Sequence, residues 1–197
     1  MTKGQDTRQG ILDEATRLAS SVGLGGLTIG VLAARTQLSK SGLFAHFQSK
    51  EALQIQVLDN AAAHFRRVVV GPALAAPRGE PRLRALFEGW LSWVEAMPGG
   101  CPFVGANTEF DDCPGPVRDA LVSHQRDWWE TIVRVAQTAV GEGHFREDAD
   151  TEQFAQDLEG VFLAYHHVSR LLGDPQAARR ARHAFETLVT AAARRAA

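Results

Sequence analysis

The residues best suited to chemistry lie in one short stretch, positions 27–53, which reads LTIGVLAARTQLSKSGLFAHFQSKEAL. We expect a helix here in which Leu43 and Phe47, one turn apart, face inward. Because successive helical residues turn by about 100°, Ser41 and Ala45 then point in the opposite direction. The outward face is therefore small and nearly flat, which allows the helix to enter a groove deeply.

Polar groups around this face are suited to phosphates and base edges. Lys40 at the start of the helix and His46 near its end can reach into a groove. The positive end of the helix dipole at positions 39–41, the Thr28 hydroxyl and the Lys50 ammonium can hold phosphate oxygens. The stretch therefore predicts a nucleic-acid-binding surface. The alternative is a three-helix packing element with no such role.

The elements that position these groups are predicted to be helices. An apolar stripe defines the first one and ends at Gly23; its members are Ile11, Leu12, Ala15, Leu18, Ala19 and Val22. Thr28 and Ser39 are suited to cap two short helices that follow, and Ser49 a fourth. Three helices thus fit within positions 8–47, and the last two, joined by a tight turn, form a helix-turn-helix arrangement.

The glycine-rich segment SVGLGGLTIG at positions 21–30 could also suggest a phosphate-cradling nucleotide loop. Such a loop follows a strand and ends in Lys-Ser or Lys-Thr, whereas this segment follows a helix and lacks that ending. We interpret it as a turn.

The remainder is also predicted to be helical, which makes the chain all-α with about nine helices. The expected helices cover roughly 50–70, 82–97, 116–140, 151–172 and 176–195. Four prolines and four glycines at positions 98–116 predict mostly turn there, with one short helix around 107–111.

Charge is distributed unevenly along the 197 residues. The formal net charge is −2, which excludes binding of nucleic acid by bulk positive charge. Residues 1–50 carry six basic and three acidic side chains, whereas residues 51–197 carry 15 basic and 20 acidic ones. The asymmetry favours a DNA-facing head on a body with another role.

The stretch at 27–53 resembles the DNA-binding segment of the tetracycline-repressor (TetR) family of bacterial transcriptional regulators. The matching features are the glycine-rich turn before Leu27-Thr28, the LAARTQLSKSGLFAHF segment and the SKEAL that opens the next helix. The resemblance implies a helix-turn-helix domain at 1–50 and a ligand-binding and dimerisation domain at 51–197. It implies DNA contacts by Thr28, Lys40, Ser41, Gly42, Phe44, His46 and Lys50, and a homodimer formed through the last two helices.

Phe44 departs from the family pattern. The family usually has a tyrosine there, whose hydroxyl bonds a phosphate. Phe44 keeps the apolar contact and loses that hydrogen bond, so we expect weaker anchoring to the DNA backbone at this point without loss of function.

A small-molecule effector is expected within the body. Helical stripes centred on Trp90 and Trp128 carry few charges, which predicts a largely apolar ligand oriented by one or two polar groups. The expected ligand-binding residues are Phe65, Trp90, Phe103, His124, Trp128, Phe162 and Tyr165. For each of them a purely structural place in the core is the competing interpretation.

Other classes of site have weak support in the sequence. We find no nucleophile–base pair, metal-ligand spacing or nucleotide loop, and predict no enzyme activity, cofactor or metal. Cys101 and Cys113 are expected to be buried thiols, with a redox switch as the alternative. No secretory signal or membrane span is visible, so a cytoplasmic location is expected.

These observations predict a regulator, most simply a repressor released from a palindromic double-stranded DNA operator by its effector. An enzyme that uses the helical body as its active site would reveal itself by turnover of a bound molecule. A dimerisation protein that merely keeps the helix-turn-helix fold would show no salt-dependent DNA binding.

Overall fold

A computed structural model describes residues 3–194, with side chains from residue 8 onwards. The helices in this part of the chain are α1 Lys3–Val22, α2 Ile29–Thr36, α3 Lys40–Phe47, α4 Lys50–Phe65, α5 Gly71–Ala75, α6 Glu80–Ala96, α7 Pro102–Phe110, α8 Pro116–Gly141, α9 Thr151–His166 and α10 Ala177–Ala192. Two π-helical turns, Arg66–Val70 and His167–Leu171, extend α4 and α9. Since α4, its π-helical turn and α5 are continuous, nine helical segments are described. The all-α class and the helix number are confirmed. The predicted last residue of the final helix, 195, lies outside the described residues.

The fourth helical segment is longer than the sequence predicted. It was expected to end near Val70, but the chain stays helical through Gly71 and Pro72 to Ala75. In the π-helical turn the Gly71 N–H donates to the Arg66 carbonyl, and Pro72 then lies in the first turn of α5. A proline is tolerated there because that position needs no N–H partner.

The short helix predicted around 107–111 begins earlier and is longer than expected, because α7 covers nine residues, Pro102–Phe110. Pro102 is the first residue of α7, where its fixed backbone angle favours a helix start. Cys101 before it has an extended backbone. The sequence prediction treated the glycines and prolines at positions 98–116 as helix breakers, whereas Pro102 begins a helix.

The described residues group into two compact units. One contains the residues up to His64 together with Ala96–Gln125, and the other contains Phe65–Glu95 together with the residues from Arg126 onwards. The first unit is built on the apolar faces of α1 to α4, where Ala15, Leu32 and Leu43 are fully buried.

The second unit has a core of aromatic side chains. Phe87 stacks on Phe185 of α10 with 4.3 Å between ring centroids, and Trp90 stacks on Phe162 of α9 at 4.4 Å. Exposed ion pairs, Arg84 with Glu186 and Arg182 with Glu88, join α6 to α10. None of the described helices is both long and apolar enough to cross a bilayer.

Candidate DNA-binding surface and aromatic cluster

Side-chain caps begin the two short helices where the sequence predicted. The Val31 N–H donates to Thr28 Oγ1 over 3.1 Å at the start of α2. The Gly42 N–H donates to Ser39 Oγ over 3.1 Å at the start of α3. Gln37, which follows α2, takes a left-handed backbone conformation with φ 58° and turns the chain between the two helices. The helix-turn-helix is therefore shaped by local hydrogen bonds.

The inner and outer faces of α3 are those expected. Leu43 and Phe47 are completely buried, whereas the Phe44 side chain is 57% exposed. Ser41, Gly42 and the other outward residues are exposed too. An aromatic ring at this exposure has no structural role in the core of the protein, so α3 offers both a flat polar face and an apolar contact.

The seven residues predicted to contact DNA lie within the same segment. Lys40, Ser41, Gly42, Phe44 and His46 are exposed on α3, Lys50 is exposed at the start of α4, and Thr28 is half-buried at the start of α2. Lys40 extends towards α2, where its Cε lies 3.6 Å from the position that a Cβ on Gly30 would occupy. The Lys40 ammonium has three N–H donors, which can bond to more than one oxygen. In this position Lys40 can therefore still bind a phosphate or a base.

Lys50 has an intramolecular partner that the sequence did not predict. Its Nζ donates to the carbonyl of Gly25 over 2.6 Å. Two ammonium protons remain for other acceptors, so the contact is compatible with an additional phosphate bond.

Five of the seven predicted ligand-binding residues pack together in the second unit. Phe65 lies edge-on to Trp128 with 5.0 Å between centroids, and Phe162 lies 5.9 Å from Trp128 and 4.4 Å from Trp90. Tyr165 contacts Trp90 at 6.1 Å. All five side chains are buried. We call Phe65, Trp90, Trp128, Phe162 and Tyr165 the aromatic cluster.

The other two, Phe103 and His124, form a pair in the first unit. Their rings meet edge to face with centroids 6.1 Å apart. His124 Nε2 lies 2.9 Å from Asp59 Oδ1, and because an ionised carboxylate can only accept, Nε2 is the donor. The buried Nδ1 of His124 has no hydrogen-bond partner among the described residues.

Sequence reasoning missed two carboxylates beside these groups. Asp59 on α4 orients His124, and Glu159 on α9 accepts a hydrogen bond from the Trp128 indole over 3.2 Å. Burial raises the pKa of Glu159, although the Trp128 bond opposes the shift. Glu159 precedes Phe162 by three residues, so helical spacing could have indicated that both lie on one face of α9.

The pKa values of Tyr165 and of its neighbour His166 are also shifted. Its hydroxyl donates to Glu95 Oε1 over 3.1 Å, and burial followed by the Glu95 charge raises the pKa of Tyr165. One residue further along α9, burial lowers the pKa of His166, with Arg170 adding to the effect. The Tyr165 hydroxyl thus already has an acceptor within the protein.

The cysteines and possible metal ligands do not form a site in the described part of the chain. Cys101 is buried, but Cys113 is exposed, which corrects the expectation for the second thiol. Nine residues of α7 separate them, a rise of about 14 Å, so a disulfide would require the helix to unwind. Among the described residues, no three His, Cys, Asp or Glu side chains are grouped as metal ligands.

A helical chain with an exposed, capped helix pair near its N-terminus is typical of helix-turn-helix regulators. The family model described as bacterial regulatory proteins, tetR family, matches residues 11–57. The model described as tetracyclin repressor-like, C-terminal domain, matches residues 79–185. The chain therefore belongs to the TetR family of transcriptional regulators, proteins that are generally not enzymes. No curated protein has a matching sequence.

Solved structures of regulators share the fold over nearly the whole chain. A TetR transcriptional regulator from Chloroflexus aurantiacus is 28% identical, with 96% of each chain covered and a TM-score of 0.84. A putative transcriptional regulator from Saccharomonospora viridis, in complex with choline, is 21% identical, with 97% of this chain and 100% of that chain covered and a TM-score of 0.82. AibR, in complex with isovaleryl coenzyme A and operator DNA, is 20% identical, with 92% and 97% covered and a TM-score of 0.74.

Proposed function

We propose that this protein is a homodimeric repressor that leaves a palindromic operator when a small, largely apolar molecule binds. The observation that carries the proposal is the outward face of α3, small and polar around an exposed Phe44, on a helix pair held by two side-chain caps. In this proposal residues 1–50 bind DNA, and residues 51–197 bind the effector and the second copy. The protein would act in the cytoplasm, where it meets its operator.

DNA binding would use the seven residues of the helix-turn-helix segment. The exposed α3 enters the major groove, where Lys40 and His46 reach base edges or phosphates. Ser41, Gly42 and Phe44 allow close approach, while Thr28 and Lys50 bind phosphate oxygens on either side. AibR, a relative with this fold, is known in complex with operator DNA, which supports the class of partner.

Dimerisation would use α9 and α10, between which lies an open groove of about 790 Å³. Small and apolar side chains line much of it, including Gly160, Ala164, Ala181 and Ala184. Small residues allow close approach of a second helix pair, and an isologous four-helix interface would cover this surface in both copies. We expect an interface on the order of 2,000 Å² or more.

The effector would be bound in the helical body, where the proposed contacts are the aromatic cluster with Phe103 and His124. Of the two polar candidates, His124 has the stronger support, because Tyr165 already donates to Glu95. Asp59 occupies Nε2 of His124, so the unpartnered Nδ1 is left for one hydrogen bond with an effector. The effector would then carry one hydrogen-bonding group, such as a hydroxyl, on an otherwise apolar frame.

Release would follow from a change in the spacing of the two DNA-binding heads. Successive major grooves on one face of DNA lie about 34–36 Å apart, so both heads must keep that separation. Because α4 begins next to α3 and carries Asp59 and Phe65, an effector near these residues can tilt it. A coupling of about 1–3 kcal/mol between the sites would change DNA occupancy severalfold to a hundredfold.

The proposal is tested by recording tryptophan fluorescence and the anisotropy of a labelled operator duplex in one titration. The duplex is first selected by the protein from a random-sequence pool, and small molecules bearing one hydroxyl or N–H group are then added. An effector should quench the fluorescence and release the DNA over the same concentration range. In Trp128→Ala and His124→Ala the effector response should weaken, while DNA binding without effector is retained. An effector that acts equally on both variants would contradict the proposed ligand site.

A further inference from the structure

The glycine-rich turn before α2 is bonded to a side chain from α7. The Gly25 N–H donates to the carboxylate of Glu109, a residue 84 positions further along the chain. A Cβ on Gly25 would lie 2.9 Å from Glu109 Oε2, and a Cβ on Gly23 would collide with the same carboxylate. Gly23 also has a φ of +80°, which favours glycine. The turn is therefore shaped around Glu109.

The two peptide groups on either side of Gly25 are bonded from α4 as well. Lys50 Nζ donates to the Gly25 carbonyl over 2.6 Å, and Gln54 Nε2 donates to the adjacent Leu24 carbonyl over 2.7 Å. Gly25, Lys50 and Glu109, which we call the Gly25 cluster, line one cleft. The turn is thus fixed between α7, which supplies an anionic acceptor, and α4, which supplies a cationic donor.

A second contact joins the segment just before α7 to α1. The Gly99 N–H, just before α7, donates to Ser20 Oγ over 3.1 Å in the last turn of α1. The Gly99 backbone lies so close to the Ser20 carbonyl that a Cβ on Gly99 would overlap it. The segment that leads into α7 and α7 itself therefore contact the end of α1 and the turn that follows it.

We propose that Glu109 is a positioning residue for DNA recognition, which sets the orientation of the α2–α3 pair through its hydrogen bond with the Gly25 N–H. The proposal rests on the proposed function, because it assigns to Glu109 a part in operator binding. A charge-assisted hydrogen bond is stronger than a neutral one, and opposite charges on the two peptide groups that flank Gly25 restrict the turn in both directions. Loss of the Glu109 bond leaves the turn held from α4 only.

Simple electrostatics predicts that removal of Glu109 strengthens DNA binding, whereas the proposal predicts that it weakens binding to the operator. The direction of the change in affinity therefore tests the proposal. Removing an acidic side chain raises the net charge by one, so the affinity for any duplex should rise slightly. If Glu109 positions the helix pair, its removal should instead weaken binding to the selected operator. Alanine is a strong helix former, so α7 should persist in Glu109→Ala.

The experiment compares wild type, Glu109→Gln, Glu109→Ala and the control Asp112→Asn, which removes one exposed negative charge three residues away. Anisotropy titrations use a duplex selected by the wild type and a random-sequence duplex of equal length. Amide hydrogen exchange of Gly25 is followed in the same proteins without DNA.

We expect Glu109→Ala to bind the selected duplex about tenfold more weakly, in line with loss of one charged hydrogen bond. Gly25 exchange should accelerate in parallel, while random-sequence binding is unchanged or slightly stronger. Glu109→Gln keeps an acceptor oxygen and should be intermediate, and Asp112→Asn should stay within about twofold of wild type.

The proposal would be overturned if Glu109→Ala changed neither the operator affinity nor the exchange of the Gly25 amide. It would also be overturned if Asp112→Asn lost as much operator affinity as Glu109→Ala. If Glu109→Ala unfolds, Glu109→Gln decides by the same two readouts. If the wild-type protein selects no duplex, the proposed DNA-binding function is contradicted. That outcome is distinct from failure of the Glu109 proposal, in which the wild type binds DNA but Glu109→Ala binds equally well.

Discussion

Trp128 donates its indole N–H to the carboxylate of Glu159, with 3.2 Å between Nε1 and Oε2. The bond places an acidic group of α9 against Trp128, the member of the aromatic cluster that contacts both Phe65 and Phe162. Burial disfavours the ionised carboxylate and raises the pKa of Glu159. The edge of the aromatic cluster is therefore more polar than the stripes of α6 and α8 suggested, and it carries a half-buried group whose protonation affects stability.

Glu159→Gln should increase the free energy of unfolding at pH 7. The raised pKa means that Glu159 contributes most to stability below its unfolded pKa, and that this contribution is lost as the pH rises through the folded pKa. Glutamine keeps an acceptor for Trp128 without a buried charge. The gain over wild type should shrink as the pH falls, which urea unfolding between pH 4 and pH 8 would measure.

Glu152→Gln provides the matched control. Glu152 accepts the indole N–H of Trp129 over 2.9 Å, but it is exposed. Its substitution should change the free energy of unfolding by no more than about 0.5 kcal/mol. Equal effects of the two substitutions across the pH range would contradict the role assigned to burial of Glu159.

Lys40→Ala should weaken operator binding by about 1–3 kcal/mol and relax its sequence preference, because Lys40 is the longest polar side chain on α3. Lys50→Ala should weaken binding to every duplex and reduce the salt slope by about one, as expected for a phosphate contact. Because Lys50 also holds the Gly25 carbonyl, the loss should be larger with the selected duplex than with a mismatched one. Anisotropy with selected and mismatched duplexes at several salt concentrations separates the two. Unchanged affinity and specificity in Lys40→Ala would show that α3 is not the recognition helix.

Phe44→Tyr should strengthen DNA binding. The ring is 57% exposed, so a hydroxyl can be added without a clash in the core. A new hydrogen bond to a phosphate would contribute about 0.5–1.5 kcal/mol, equivalent to a few-fold to tenfold in affinity. The gain should appear with any duplex sequence. Phe44→Leu controls for the apolar contact and should not bind more tightly than wild type.

Gly160→Arg should prevent dimerisation without harming the protomer. A Cβ at Gly160 meets no atom within 4 Å in the single chain, and replacing a helical glycine increases helix propensity by up to about 1 kcal/mol. The arginine would occupy the groove between α9 and α10. Light scattering at micromolar concentration should give a monomer, whereas Gly141→Arg, at an equally open site on α8, should remain dimeric. A dimeric Gly160→Arg would place the interface elsewhere.

Local signals in the sequence were sufficient for the helix-turn-helix. Thr28 and Ser39 cap helices through hydrogen bonds to residues three positions away, and such contacts follow directly from residue type and spacing. The buried faces of α3 and α8 followed from apolar periodicity alone. Pro102 was misjudged because the same residue type that ends one helix favours the start of another.

The contacts that connect distant parts of the chain were beyond sequence reasoning. Glu109 and Gly25 are 84 residues apart, and nothing in the spacing around either residue indicates the other. Glu159 looked like one of many carboxylates on a helix surface until the packing of α9 placed it beside Trp128. Asp59 was missed for the same reason, although it fixes the protonated nitrogen of His124.

Selection of duplexes from a random-sequence pool by the full-length protein is the most direct test of the account. A homodimer with two α3 helices should enrich an inverted repeat, whose half-sites present successive major grooves about 34–36 Å apart on one face of the DNA. Binding to the enriched duplex should weaken steeply with salt and should depend on Lys40. Failure to enrich any sequence, or enrichment that Lys40→Ala leaves unchanged, would contradict the central claim that this helix-turn-helix reads an operator.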